Sequence, residues 1–343
     1  MSIVVNGKES FLIDRTLMNI TEKRFNTDML FQFAVDLKRL GVDFFEVDER
    51  TLNSLKPLMI SEAFIFRVDR IDQLEICRAN SIEYIIVKEE DLGFIEIKDI
   101  EDNYNFKVIL EIDINFHKGD FMKIISRDID TNKFFSIRFK GESSWFFNEY
   151  IQKKFNAKTD IYASNEMSMA TAVGFQAILK GFDYVTTAFC GKDGEVNTTA
   201  LEELLVSVKV ILDGRINGNI SLLSEMREQY EKITYVKLAN NKAVIGKDIF
   251  KYESGVHVAG IEKNPITYEP FMPEIIGMKR KLALGKHSGK NSINSKLKEL
   301  GMDNKFNVSE IISILNQVKN KSISNKMEVS DKDFIDICKG IEG

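Results

Sequence analysis

Short apolar runs alternate with amphipathic stretches through the N-terminal part of this chain, beginning at about residue 10. Several of the runs are apolar at every position, as expected of strands that are covered on both faces. Alternation of this kind predicts a parallel sheet wrapped by helices. The predicted strands are eight and comprise residues 11–16, 44–47, 63–68, 84–87, 107–112, 135–139, 160–163 and 184–189.

The stretch after the first predicted strand shows why the intervening segments are predicted to be helices. Leu30, Phe33 and Leu37 recur at helical spacing and would line one face of a helix. Gly41 follows, and a glycine at this position commonly ends a helix. The last helix of the series is predicted at residues 197–212, where leucines and a valine recur on one side.

The rhythm changes after about residue 214, and the rest of the chain is predicted to be mostly helical. We therefore expect two domains, residues 1–214 and residues 215–343. At 343 residues the chain exceeds the usual size of a single (β/α)8 barrel by enough for an appended subdomain. The segments predicted there are a helix at 222–232, an extended region to 250, helices at 290–300 and 311–318, a polar linker at 320–325 and a helix from 330.

The composition is ordinary for a soluble globular protein, with 44% hydrophobic and 29% charged residues. The net charge of −5 argues against a nucleic acid partner, because phosphates select strongly basic surfaces. No apolar run approaches a membrane span and no signal peptide is recognised, so we expect a cytoplasmic protein with no membrane partner. Cys77, Cys190 and Cys338 are widely separated, which fits a reducing compartment and no zinc site.

Residues 251–293 are the part of the chain that most resembles an intact functional site. They contain His257 and His287, two of the three histidines, and three of the four prolines. Glycines punctuate the segment and bend its backbone at defined places. The segment carries the runs Glu253-Ser254-Gly255-Val256-His257, Lys263-Asn264-Pro265, Tyr268-Glu269-Pro270 and Leu284-Gly285-Lys286-His287-Ser288-Gly289.

These runs resemble the C-terminal signature of the homocitrate synthase and isopropylmalate synthase family, whose members catalyse Claisen-type condensations. The resemblance implies a (β/α)8 TIM barrel, followed by a mostly helical subdomain that reaches over the active site of a neighbouring subunit. It implies His257 and Tyr268 as catalytic residues, with Glu253 as a supporting member of the catalytic set. The candidate cofactor-binding residues, for acetyl-CoA as co-substrate, are His287, Ser288 and Gly289.

The resemblance is weaker in the barrel, where the metal site of the family is altered. In the family the first strand ends in Asp-x-Thr-Leu-Arg-Asp-Gly, whose Arg stabilises the enolate and whose second Asp binds a divalent metal. Here Met18 stands in place of that Arg and Asn19 in place of that Asp. The two metal-binding histidines of the seventh strand correspond to Tyr162 and Ser164, and an asparagine near the metal corresponds to Thr198.

These differences predict that the chain has no metal site of its own. A hard divalent ion needs carboxylate or imidazole donors, and neutral amide, phenol and hydroxyl oxygens are a poor substitute. Glu46 matches a family glutamate at the end of the second strand, although acids at strand ends are common. We therefore expect that this barrel does not catalyse the condensation by itself.

An altered metal site beside an intact C-terminal signature resembles the omega-type subunit of the split homocitrate synthase found in nitrogen-fixing anaerobes. This resemblance implies condensation of acetyl-CoA with 2-oxoglutarate in a hetero-oligomer, whose metal-binding paralogue alone carries the divalent metal. A homodimer is the alternative assembly, and the motifs do not fix the 2-oxo acid. Two other functions stay open: a catalytically inactive scaffold or regulatory paralogue, and a metal-independent lyase or transferase with a changed substrate.

Overall fold

The computed structural model describes residues 3–23, 25–55, 63–93, 100, 105–114, 130–142, 157–194 and 197–342. Contacts divide the chain into two compact units, Met1–Leu238 and Ala239–Gly343. The division lies on the C-terminal side of residue 214, where the sequence places the boundary. The helix Leu223–Thr234 accounts for the difference, because it packs against the barrel helix Thr27–Leu40 and therefore belongs to the first unit.

The first unit contains a closed barrel of eight parallel strands, which confirms the predicted fold class and all eight predicted strands. The barrel runs from β2 to β9, and β9 pairs in parallel with β2 to close it. Strand β1 pairs antiparallel with both β2 and β11, and β10 pairs in parallel with β9. The strands are β1 (Ile3–Val5), β2 (Lys8–Asp14), β3 (Phe44–Val47), β4 (Phe64–Arg67), β5 (Tyr84–Lys88), β6 (Lys107–Asp113), β7 (Ser136–Glu142), β8 (Lys158–Ser164), β9 (Tyr184–Ala188), β10 (Thr199–Ala200) and β11 (Arg215–Ile216).

Helices follow several strands of the first unit, and the longest of its described helices forms where the apolar spacing predicts it. The side chain of Asn26 caps its start by accepting a hydrogen bond from the amide of Asp28, and Gly41 ends it with a φ of 116°. The described helices of this unit are α1 (Thr16–Thr21), α2 (Thr27–Leu40), α3 (Glu49–Leu55), α4 (Gln73–Ala79), α5 (Ala170–Lys180), α6 (Leu201–Ile211) and α7 (Leu223–Thr234).

The interior of the barrel is built in layers, because alternate residues of each strand point inward. The layer nearest the N-terminal ends of the strands is aromatic, and it consists of Phe11, Phe44, Tyr84, Phe135 and Tyr184. The next layer is aliphatic and consists of Ile13, Ile65, Ile86 and Ile109. Closer to the C-terminal ends of the strands the layer is ionic, with Glu46, Arg67, Glu111, Arg138 and Asp160. Branched apolar side chains ordinarily fill this kind of interior. The charged layer is therefore the part of the barrel interior that is a candidate site.

The second unit combines one short parallel strand pair with four helices. Strands β12 (Lys251–Tyr252) and β13 (Lys281–Leu282) pair with each other. The helices are α8 (Gly255–Lys263), α9 (Lys290–Glu299), α10 (Val308–Asn325) and α11 (Asp331–Glu342). An apolar core joins α9, α10 and α11, and it includes Leu284, Ile293, Ile314, Val318 and Phe334. In the part of the chain that the structure describes, no helix has both the length and the apolar character needed to cross a membrane.

Two predictions for residues beyond 214 are wrong in detail. The polar stretch 320–325 is not a linker, because Ile314, Val318 and Ser322 recur every four residues on the buried face and α10 continues to Asn325. The segment expected to be extended up to residue 250 forms no strand, and residues 240–250 consist largely of turns.

Candidate functional site

Glu46 lies at the centre of a buried charge network at the C-terminal ends of the barrel strands. Its carboxylate is fully buried and accepts hydrogen bonds from Arg15, Arg67 and Arg138. Burial opposes ionisation, but the guanidinium groups of Arg138, Arg15 and Arg67 hold the pKa of Glu46 well below its usual value. Glu46 is therefore ionised at neutral pH.

Two further ion pairs extend the network across the barrel. Arg67 binds Glu111 in a fork, with Nη1 to Oε1 at 3.1 Å and Nη2 to Oε2 at 2.6 Å. Arg138 donates through Nε to Asp160 at 2.5 Å. Burial raises the pKa of Asp160, although the charge of Arg138 opposes that shift. Because the pairs are buried, removal of one partner would leave an uncompensated charge in the barrel.

Arg15 covers this network at the mouth of the barrel. It follows β2 directly, contacts Glu46 through Nη1 and donates through Nε to Asp193 at 2.8 Å. Its guanidinium lies over the ring of Tyr162, 4.9 Å from the ring centroid, and the Tyr162 hydroxyl donates to Asp193. Arg15 was not among the predicted site residues, because the arginine of the family motif corresponds to Met18. An arginine directly after a buried strand was the available signal.

Asn19, at the position of the family's metal-binding aspartate, ties α1 to the turn at residues 189–194. Its amide nitrogen donates to the carbonyl oxygens of Arg15 at 3.0 Å and Lys192 at 2.8 Å. Its amide oxygen accepts from the backbone N–H of Gly194 at 3.0 Å. Backbone groups therefore engage both ends of this amide, and Asn19 acts as a clasp across the mouth of the barrel.

The other three altered positions do not form a metal site either. Thr198 donates its hydroxyl to the carbonyl oxygen of Ala163 at 2.8 Å. Burial raises the pKa of Tyr162, so its phenol is neutral and a poor ligand for a hard ion. Among the residues that the structure describes, no group of three His, Cys, Asp or Glu side chains is placed to hold a metal ion. The side chains described at these positions therefore do not fit the divalent ion of the family.

A cavity of 310 Å³ opens beside Arg15 and Tyr162 at the mouth of the barrel. Its volume is at the small end of the range for pockets that bind small molecules. Its walls carry both signs of charge, so it has no clear preference for an anion. Described residues in these walls include Arg15, Asn19, Glu22, Lys140, Tyr162 and Ser164.

The second unit brings together the two residues predicted to be catalytic. The side chain of Ser254 caps the start of α8, which places the exposed His257 in the first turn. The ring centroids of His257 and Tyr268 are 4.7 Å apart. Gly260 makes this approach possible, because an ideal Cβ there would lie 2.1 Å from Cε2 of Tyr268. A side chain at this position would displace the tyrosine ring.

Glu253 supports the turn at residues 284–289, which carries the candidate cofactor-binding residues. Its Oε1 accepts a hydrogen bond from the backbone N–H of His287 at 2.7 Å. An ideal Cβ on Gly285 would lie 2.5 Å from that oxygen, so the turn fits closely around the carboxylate. Within the turn the Ser288 hydroxyl accepts from the Gly285 N–H at 2.9 Å. The side chain of His287 is exposed.

Gly289, at the end of this turn, lies close in space to the start of α8. An ideal Cβ on Gly255 would lie 3.3 Å from Cα of Gly289, so the two backbones pass close together. The catalytic role of His257, Tyr268 and Glu253 stays a prediction, as does the cofactor-binding role of His287, Ser288 and Gly289.

The fold and the two groups of residues define a TIM-barrel protein with a separate helical unit that exposes a histidine–tyrosine pair. Residues 244–326 match the family model described as homocitrate synthase post-HMGL domain-like. Over 99% of its length the chain is 35% identical to the omega subunit of homocitrate synthase from Clostridium pasteurianum, of which it covers 98%. The chain belongs to the homocitrate synthase and isopropylmalate synthase family.

More distant relatives match shorter parts of the chain. It is 31% identical to 2-isopropylmalate synthase from Methanocaldococcus jannaschii, over 58% of this chain and 38% of that protein. Hydroxymethylglutaryl-CoA lyase from Pseudomonas aeruginosa is similar in structure, with a TM-score of 0.52 at 10% identity over 65% of this chain and 92% of that one. At that identity the likeness concerns the fold alone.

Proposed function

We propose that this chain is the omega-type subunit of a split homocitrate synthase and provides the lid of an acyltransferase complex. In this complex acetyl-CoA condenses with 2-oxoglutarate, and water then hydrolyses the thioester to release homocitrate and CoA. A metal-binding paralogue holds the divalent ion and the oxo acid. The observation that carries the proposal is the contrast between a barrel mouth whose buried charges pair with one another and an exposed pair formed by His257 and Tyr268.

The barrel of this chain is a poor site for the condensation. In the family a divalent ion polarises the carbonyl of the oxo acid, a contribution of several kcal/mol to the transition state. Arg15 does not replace that ion, because Glu46 and Asp193 already neutralise its guanidinium. We therefore assign the condensation to the barrel of the partner subunit.

His257 and Tyr268 are suited to act on a substrate that another subunit holds. Tyr268 is 43% exposed and His257 is also exposed, so both can reach a neighbouring molecule. His257 transfers a proton at the acetyl methyl group or at the forming alcohol, and Tyr268 orients or relays that proton. Glu253 acts through the turn that it supports.

Exposed apolar side chains next to the pair support the idea of a covering partner. Val256 precedes His257 and is 71% exposed, and Ile266 precedes Tyr268 by two residues and is 82% exposed. Each is a near neighbour in the chain of one of the two rings in contact, and exposed apolar patches commonly mark a protein interface. A partner barrel that covered the pair would bury these groups and exclude water from the reaction.

The proposal is tested by measuring CoA release with this chain alone, with the metal-binding paralogue alone and with both together. We expect full activity only in the mixture, and we expect His257→Ala to lower the activity of the mixture by about 10²-fold or more. Lys298→Ala is the matched control, because Lys298 is an exposed residue of α9 in the same unit and lies outside the signature runs.

Three outcomes contradict the proposal. Condensation by this chain alone, abolished by a chelator, would place a working metal site in its own barrel. Unchanged activity of the mixture with His257→Ala would favour a non-catalytic scaffold. Turnover of a different substrate by the isolated chain in a chelator would favour a metal-independent lyase or transferase.

A further inference from the structure

The buried charges at the barrel mouth come closer to neutrality when Arg15 is counted. Four residues are counted as negative: Glu46, Glu111, Asp160 and Asp193. Three residues are counted as positive: Arg15, Arg67 and Arg138. With Arg15 in place the cluster carries one net negative charge, and without Arg15 it would carry two. A low-dielectric interior makes such an imbalance expensive.

Arg15 lies among the very positions that correspond to metal ligands in the family. The Asn19 amide donates to its carbonyl oxygen at 3.0 Å, and the ring of Tyr162 lies under its guanidinium. Two carboxylates bind the guanidinium from different elements, Glu46 from β3 and Asp193 from the turn after β9. The guanidinium is thus held as a bound cation would be, by two carboxylates and the face of an aromatic ring.

We propose that the barrel mouth retains a cation site, formed by Glu46, Asp193 and the ring of Tyr162, and that Arg15 fills this site permanently from within the chain. The ligand class of the site is a planar organic cation of guanidinium type. With Arg15 in place the site takes no external cation. The role of Arg15 belongs to this barrel alone and holds whether or not the second unit serves as a lid.

Access to the site is provided by the cavity of 310 Å³ that Arg15 and Tyr162 line. Truncation of Arg15 would enlarge this cavity toward Glu46 and Asp193. A free guanidinium ion could then enter and make the same two ion pairs. Binding to the folded state only would stabilise the variant in proportion to ligand concentration.

The test uses the full chain and compares thermal unfolding of Arg15→Ala in low millimolar guanidinium chloride and in sodium chloride of equal ionic strength. We expect the Tm of the variant to lie below that of the parent, and we expect guanidinium to restore part of the difference. Arg39→Ala is the matched control, because it removes an arginine that is 57% exposed and paired outside the cluster. Neither the parent nor this control should gain stability from guanidinium.

A second variant keeps the net charge of the cluster unchanged, so that a loss of guanidinium binding can be told apart from misfolding. Arg15→Ala combined with Asp193→Asn removes one charge of each sign and should fold, but guanidinium should not stabilise it. The proposal would be overturned if Arg15→Ala were as stable as the parent, or if it gained no more stability from guanidinium chloride than from sodium chloride. Failure of this double variant to fold would also overturn it.

Discussion

The clasp formed by Asn19 yields the sharpest prediction, because Asn19→Asp restores the residue type of the family's metal site while changing almost no volume. The asparagine amide donates to the carbonyl oxygens of Arg15 and Lys192 at 3.0 and 2.8 Å. An aspartate has no donor for either oxygen and would place its carboxylate against both. Only the bond from the Gly194 amide to the side-chain oxygen would remain.

The expected loss of stability follows from these hydrogen bonds. Each net hydrogen bond contributes about 1 kcal/mol, and Asn19 is only half-buried, so water can solvate part of the new charge. We therefore expect Asn19→Asp to lower the free energy of unfolding by about 2 kcal/mol. We also expect no gain in affinity for a divalent ion, because Arg15 already occupies the carboxylates and Tyr162 stays neutral.

Urea unfolding measures the first effect, and calorimetric titration with Mn²⁺ measures the second. Asn53→Asp is the matched control, since it makes the same change of charge at an exposed position in α3. It should leave stability nearly unchanged. Parent-like stability of Asn19→Asp would show that the clasp contributes little. Tight binding of Mn²⁺ by that single variant would refute our account of the mouth of the barrel.

Two further predictions concern one residue in each unit. Burial raises the pKa of Asp14 to about 7 from its ordinary 3.8, so the folded chain binds a proton that the unfolded chain has lost in this range. The free energy of unfolding should therefore fall by on the order of 4 kcal/mol as pH rises from 3.8 through about 7. Urea unfolding of Asp14→Asn should show a smaller pH dependence. An unchanged pH dependence in this variant would contradict the argument. Gly260→Ala should push the Tyr268 ring away and lower the activity of the mixed complex without a loss of Tm. Gly340→Ala, where the added carbon meets no other atom within 4 Å, should change neither, and equal activity of the two variants would count against a role for the Tyr268 position.

Local patterns in the sequence were sufficient for the strands, for α2 and for the family resemblance. A barrel strand is recognised by its own apolar run, and α2 by the spacing of its apolar residues and by Gly41. The runs that contain His257 and Tyr268 lie within one short segment, so their motif can be recognised without knowledge of the fold. The end of α10 was missed because residues 320–325 are polar on average, while the buried stripe through Ser322 becomes visible only against the packed core.

Tertiary structure alone decided the chemistry of the barrel mouth. Arg15 and Asp193 are 178 positions apart in sequence, and Arg138 and Glu46 are 92 apart. Closure of the barrel through β9 and β2 brings such residues together, and no local pattern records which carboxylate meets which guanidinium. Sequence therefore determined that the family's metal ligands are missing here. Only the folded barrel determined that the Arg15 guanidinium lies among the residues that replace those ligands. The reason is that the net charge of a buried site depends on every group that the fold places there.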